Sequence, residues 1–213
     1  MIDLKSYLLE KVKAVISGWD EEKIYAISFF VYSNLAYTYQ QYNNISEFAI
    51  SFNTEEDCGD VSEYSDDYAY DEARWNYAFW RQNTTHIIDP NENNNEGVET
   101  LFQWYRENGI ENIGFEDYDR DKIYDENMQY IGKGPTGFYE LLTEVSDVAR
   151  QLQTDGLISK KFGNIPIIVH GFEYCWYIEE ATAYANPNGE ANEFFESMKR
   201  TLEESKLHGL FIS

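Results

Sequence analysis

The sequence predicts an α+β fold, a single domain with a small, mainly antiparallel sheet packed against several helices, and three observations predict it. Two β-rich runs, "KIYAISFFVYS" and "ISEFAISFN", stand close together near the start, and a third, "IPIIVHGF", stands far downstream. Apolar residues recur at helical spacing before, between and after these runs. No Pro/Gly/Ser-rich linker divides the 213 residues, so residues 1–213 are expected to form one domain.

Each element has its own warrant. In the opening segment Leu4, Leu8, Val12, Val15 and Ile16 fall on one helical face, with Asp3 as N-cap and Gly18 as stop. The first two β runs are expected to pair as a hairpin across the Asn-rich "NLAYTYQQYNN". Phe48, Ile50 and Phe52 alternate with Glu47, Ala49 and Ser51, which predicts a sheet with one face more buried than the other. Asn53 or Thr54 is placed to cap a short helix. The acidic stretch that follows has no clean period, and "DEARWNYAFWRQN" reads as a loop leading into a short helix. "PNENNNEG" is a loop; Val98, Leu101, Phe102 and Tyr105 then mark a helix closed by Asn108-Gly109. The segment 110–131 reads as loop and short helix. The strongest helix is "FYELLTEVSDVARQLQTDG", with a continuous stripe from Phe138 to Leu152. After the third strand, two further helices are expected, broken by "NPNG".

The composition is that of a folded acidic protein. Hydrophobic residues make up 43% and aromatics 17%, beside 39 Asp+Glu against 16 Lys+Arg, a formal charge of −23. A surface so negative repels nucleic acid phosphates and anionic membranes and attracts basic proteins. Cys58 and Cys175 form no C-x-x-C pair, the N-terminal segment reads as an amphipathic helix rather than a signal peptide, and no apolar run is long enough to span a bilayer. A cytoplasmic protein with reduced thiols is expected.

Charge is concentrated in "EEDCGDVSEYSDDYAYDE", residues 55–72, which hold nine carboxylates and no Lys or Arg: Glu55, Glu56, Asp57, Asp60, Glu63, Asp66, Asp67, Asp71 and Glu72. Trp75 and Trp80 follow at once. Acid beside aromatic surface suits a protein-binding site, in which the carboxylates steer a basic partner and the indoles anchor it. The competing view is an exposed acidic loop leading into two core tryptophans.

Other motifs carry less. "GKGPTG", Gly132 to Gly137, matches G-x-G-x-x-G, but a dinucleotide site needs a preceding strand, and Pro135 suits a helix start whose capping explains the glycines equally. Asp117, Asp119, Asp121 and Asp125 follow calcium-loop spacing, yet Lys122 replaces the turn glycine and Met128 the bidentate Glu. His86, His170 and His208 are scattered, and His170, at the end of an apolar strand, reads as a satisfied interior imidazole. Carboxylate pairs such as Glu179 and Glu180 arise from composition alone. No catalytic residue, metal ligand or cofactor is assigned; the alternative is an enzyme or small-ligand binder with a pocket near the Gly132–Gly137 turn.

The segments "KIYAISFFVY", "FAISFNTEED", "RWNYAFW" and "IPIIVHGFEYCWYIEEATAYANP", taken in order over about residues 3 to 200, resemble the DUF4303 family of bacterial proteins. Asn53-Thr54-Glu55-Glu56, the Trp75/Trp80 segment and Ala185-Asn186-Pro187 are its most distinctive parts. The resemblance implies a candidate immunity protein of a polymorphic toxin system, which would neutralise a cognate, basic, nuclease-like toxin domain without catalysis of its own.

Overall fold

The computed structural model describes residues 2–33, 45–81, 83–92, 95–116, 119–172 and 174–207, the last four without their side chains. The expected turn at 34–44, together with Asp117 and His208, lies outside the described residues. Among those described, nine α-helices surround a four-stranded sheet, an α+β arrangement.

The helix α1 (Leu4–Ser17) starts where expected: the Asp3 carboxylate accepts from the Ser6 backbone N–H at 3.0 Å, and Leu4, Leu8, Val12 and Ile16 are buried. Strands β1 (Ile24–Tyr32) and β2 (Glu47–Thr54) pair antiparallel, with Phe29 opposite Ile50. A short third strand, β3 (Thr85–Ile88), pairs antiparallel with β2, and β4 (Ile167–His170) pairs parallel with β1, giving the order β3-β2-β1-β4.

One face of the sheet carries Ile27, Phe29, Val31, Phe48, Ile50, Ile167 and Val169. It packs on α1, α4 (Glu96–Glu107), α6 (Phe138–Thr154) and α8 (Trp176–Ala185), which contribute Leu8, Leu101, Leu141, Val145, Leu152 and Ile178 to one continuous core. The helix α7 (Leu157–Phe162) follows α6 and adds Ile158. The outer edge of β4 is closed by side chains of α8. Asn186 accepts from the Ile167 N–H at 2.9 Å and donates to the Ile167 carbonyl at 2.8 Å, and Thr182 does the same for Val169 at 3.1 and 2.8 Å. These side chains take the place of a further strand and leave no free edge there to template pairing with another chain.

The opposite face is also covered, which corrects the expected one-sided sheet: seven of the eight β2 residues and eight of the nine β1 residues are buried. Its cover is the acidic segment. Residues 55–80 fold as α2 (Glu55–Cys58), a 3-10 turn at Val61–Glu63, α3 (Asp67–Trp75) and a 3-10 turn at Tyr77–Phe79. With α9 (Asn192–Leu207) they form a cap over Tyr25, Ala26 and Ile168. The helix α3 begins earlier than the sequence suggested, inside the acidic run, because Asp66 caps it by accepting from the Ala69 N–H at 2.8 Å. The short helix α5 (Arg120–Ile123) lies between α4 and α6. Among the described residues, no helix is long and apolar enough to cross a membrane.

Candidate binding site at the end of the sheet

The cap is held by two arginine centres. Arg74, 7% exposed, donates to Glu55 at 2.8 and 3.1 Å and to Glu193 of α9 at 2.8 Å, and its guanidinium lies 4.1 Å from the Tyr25 ring centroid. The carboxylates hold its proton more firmly against the opposing effect of burial. Asp71, 4% exposed, accepts two bonds from Arg200 of α9, both 2.8 Å. Such bidentate geometry needs a planar guanidinium. Around these centres, Tyr25 donates to the Arg74 carbonyl at 2.5 Å and accepts from Asn53 at 3.0 Å, while the Trp80 indole donates to the same carbonyl at 2.8 Å.

The nine carboxylates therefore do different things. Asp71 is a buried ion-pair partner, and Glu72 is half-buried. Glu55 faces Arg74, and Asp57 lies 3.7 Å from Arg81. Asp60 caps the first 3-10 turn and Glu63 accepts from the Asp60 N–H at 3.2 Å; Asp66 caps α3. Seven of the nine (Glu55, Glu56, Asp57, Asp60, Glu63, Asp66 and Asp67) are exposed on the outside of the cap.

The two tryptophans proposed as anchors are core residues: Trp75 is 6% and Trp80 3% exposed. The reason is geometric. Residues 67–80 turn their indoles down onto Tyr25, with ring centroids 5.7 and 6.0 Å away, to seal the second face of the sheet. The large apolar groups that residues 55–80 do present are Val61 and Phe79, 50% and 61% exposed.

Strands β1 and β4 run parallel and finish side by side, and beyond their ends opens a cleft of about 710 Å³. Clefts outside the carboxyl ends of parallel strands are common ligand sites. Its floor is Val31–Ser33 and Gly171; its walls come from Tyr124 and Tyr130, which bridge to each other, from Gly134-Pro135, and from Cys175–Ile178 at the start of α8. The Ser33 hydroxyl, buried in the floor, has no hydrogen-bond partner among the described residues. Among the described residues lining the cleft there is Glu116 but no Lys or Arg.

The turn at Gly132–Gly137 thus does line a cavity, but its glycines have local causes. Gly134 and Gly137 take φ of +71° and +91°, which disfavours a side chain, and a Cβ on Gly132 would lie 2.5 Å from the Tyr130 hydroxyl. Tyr105 donates to the Gly137 carbonyl at 2.7 Å and Trp176 to that of Gly132 at 3.1 Å, pinning the turn between α4 and α8. No βαβ unit precedes it: the residues ahead form the Tyr124–Tyr130 bridge. Asp119 and Asp125 of the calcium-like spacing serve as local caps, accepting from the Asp121 and the Asn127 and Gln129 backbone N–H groups respectively.

Beside the cleft, under the cap, lies a chamber of about 210 Å³ that shares Gly171, Phe172, Tyr174 and Ile178 with it. His170 lines the chamber, with its Nε2 2.6 Å from the Ser28 hydroxyl. Burial pushes its pKa down to about 4, so the ring is neutral at pH 7, as expected for an interior imidazole. Ser28 is fully buried, out of reach of a substrate.

One group of metal-ligand type occurs at the far edge of the sheet. Glu47, His86 and Asp89 each bring a ligand atom to within 4.8 Å of the others. That is three of the four ligands of a zinc site; burial pushes the Glu47 carboxyl toward its neutral form, His86 opposes this and Asp89 adds to it.

The ring-bearing wall of the cleft had its signal in "GFEYCW" just past β4: Phe172, Tyr174 and Trp176 in a row where a parallel strand ends. No family model matches the chain, and no curated protein or solved structure matches it either.

Proposed function

We propose that this chain is a non-catalytic binding protein that recognises a basic protein partner through the acidic outer surface of its cap. The observation that carries this reading is the exposure of seven carboxylates on one short segment that Arg74 holds against Tyr25 of β1 and Arg200 holds to α9. A preorganised field of one sign raises association rates, by about 10- to 1000-fold in favourable cases, and disfavours nucleic acid. Val61 and Phe79 supply apolar contact area where the buried indoles do not. That the partner is a toxin domain rests on the resemblance of the quoted segments alone, and that it is met in the cytoplasm rests on the two cysteines and the N-terminal segment as read in the sequence.

The test uses Glu56→Lys with Asp67→Lys, two exposed positions outside the arginine pairs. A partner captured from the source organism should be basic, and should associate with the double variant about tenfold more slowly and with a flatter salt dependence. Unchanged kinetics would reject the patch.

A second reading has its own support. The cleft near Gly134-Pro135 falls within the roughly 300–1,000 Å³ of small-molecule sites. Native mass spectrometry of gently purified protein should then show a retained small molecule. Protein that carries none, and shifts its melting temperature with no metabolite in a broad screen, would dismiss it.

A further inference from the structure

We infer that the chamber under the cap is an aromatic cage for an alkylated ammonium head, free or at the end of a methylated lysine. Six rings line it: Trp75, Tyr77 and Trp80 from the cap, Phe172 and Tyr174 from the segment after β4, and Phe194 from α9. Glu72, an acid, also lines it, and no Lys or Arg does so among the described lining residues. His170 is neutral and adds no opposing charge. Aromatic faces attract cations through the ring quadrupole, and cages of such rings recognise quaternary ammonium groups.

The protein already uses this construction once. The Arg74 guanidinium sits 4.1 Å from the Tyr25 centroid, 5.2 Å from that of Trp75 and 5.9 Å from that of Tyr70, with Glu55 and Glu193 as counter-charges. The chamber repeats rings and carboxylate without an internal cation. Its size also fits: a cavity of about 150 Å³ in another protein accepts benzene, and this one has about 210 Å³. Entry runs past Phe172 and Tyr174, 70% and 42% exposed, which also border the larger cleft.

The experiment titrates the intact chain, followed by tryptophan fluorescence and calorimetry, with choline and with its uncharged isostere 3,3-dimethylbutan-1-ol. A second arm uses a short peptide bearing trimethyllysine and the same peptide with the carbon isostere of that side chain. We expect saturable binding of choline, the trimethyllysine peptide or both, at least about tenfold tighter than the matching isostere, a difference of about 1.4 kcal/mol. Which arm binds tells a free head from a side-chain head. Glu72→Gln should weaken binding several-fold, and Phe172→Ala, at an exposed ring, should do so with the fold intact by circular dichroism. Equal affinity for cation and isostere would reduce the chamber to an apolar void. No saturation in either arm would overturn the proposal as well. Both results are independent of the Glu56 and Asp67 variants, which report on the outer surface of the cap.

Discussion

The two faces of the sheet solve the same problem with different chemistry. One face is sealed largely by aliphatic side chains: Leu8, Leu101, Leu141, Val145 and Leu152 meet Ile27, Phe29, Val31, Phe48 and Ile50 in one core. The other is sealed by rings, by the buried Arg74, by the buried Asp71 paired with an exposed Arg200 and by a His–Ser pair, and it keeps a chamber. Close packing of aliphatic groups leaves few voids. Large rings braced by directional bonds leave gaps, and gaps lined with rings are where recognition becomes available. The first face offers close aliphatic packing, and the second holds the chamber and the acidic cap on which the binding proposals rest.

Substitutions can break or sharpen this division. The largest effect is expected from Leu141→Ala on the aliphatic face, fully buried; it should cost about 2–5 kcal/mol in urea or thermal unfolding and lower the protection of the whole sheet. Next comes Arg74→Ala. Glu55 and Glu193 keep access to water, so the cost is lost packing over Tyr25 and lost bonds, about 2–3 kcal/mol. Hydrogen exchange should show the loss first in residues 55–80 and α9, with α6 still protected. Equal loosening of both faces would refute the division.

His170→Asn should act through pH. With the folded pKa near 4 against an ordinary 6.5, the unfolded chain takes up a proton between those values and the folded chain does not. Stability therefore falls as pH drops from about 6.5 to about 4 and this contribution then levels off, a loss of about 1–2 kcal/mol after allowing for partial exposure. The variant lacks it, so the wild-type-minus-variant difference in unfolding free energy should vary with pH over that window and nowhere above it. The smallest effect is expected of Glu56→Lys or Asp67→Lys alone, within about 0.5 kcal/mol, because neither exposed carboxylate is held by an arginine pair. A larger change would mean that the cap needs those charges for its fold.

How much of this was legible follows from what each segment buries. The helices α1, α4 and α6 bury apolar stripes, so Leu4 to Ile16, Val98 to Tyr105 and Phe138 to Leu152 announced them. By contrast α3 buries Asp71, Arg74 and Trp75, two charges beside one ring, and a helix that buries ion pairs has no apolar period to read. β3 and α7, four and six residues long, are too short to stand out. The burial of Trp75 and Trp80 was open in the sequence, because an indole beside an acidic run suits a surface anchor and a core wedge equally. The chamber joins residues 72–80, 168–178 and 194–201, and no local pattern shows that those segments meet.

The position of β1 between β2 and β4 bears on how the chain assembles. Its hairpin partner arrives soon, Phe52 standing opposite Ile27, but Ile27 waits for Ile167, some 140 positions downstream. Until then a long apolar strand has one unpaired side, a surface that invites self-association during synthesis. Such long-range closure slows folding, so a ribosome-released fragment lacking β4 and α8 should depend on chaperones where the whole chain does not.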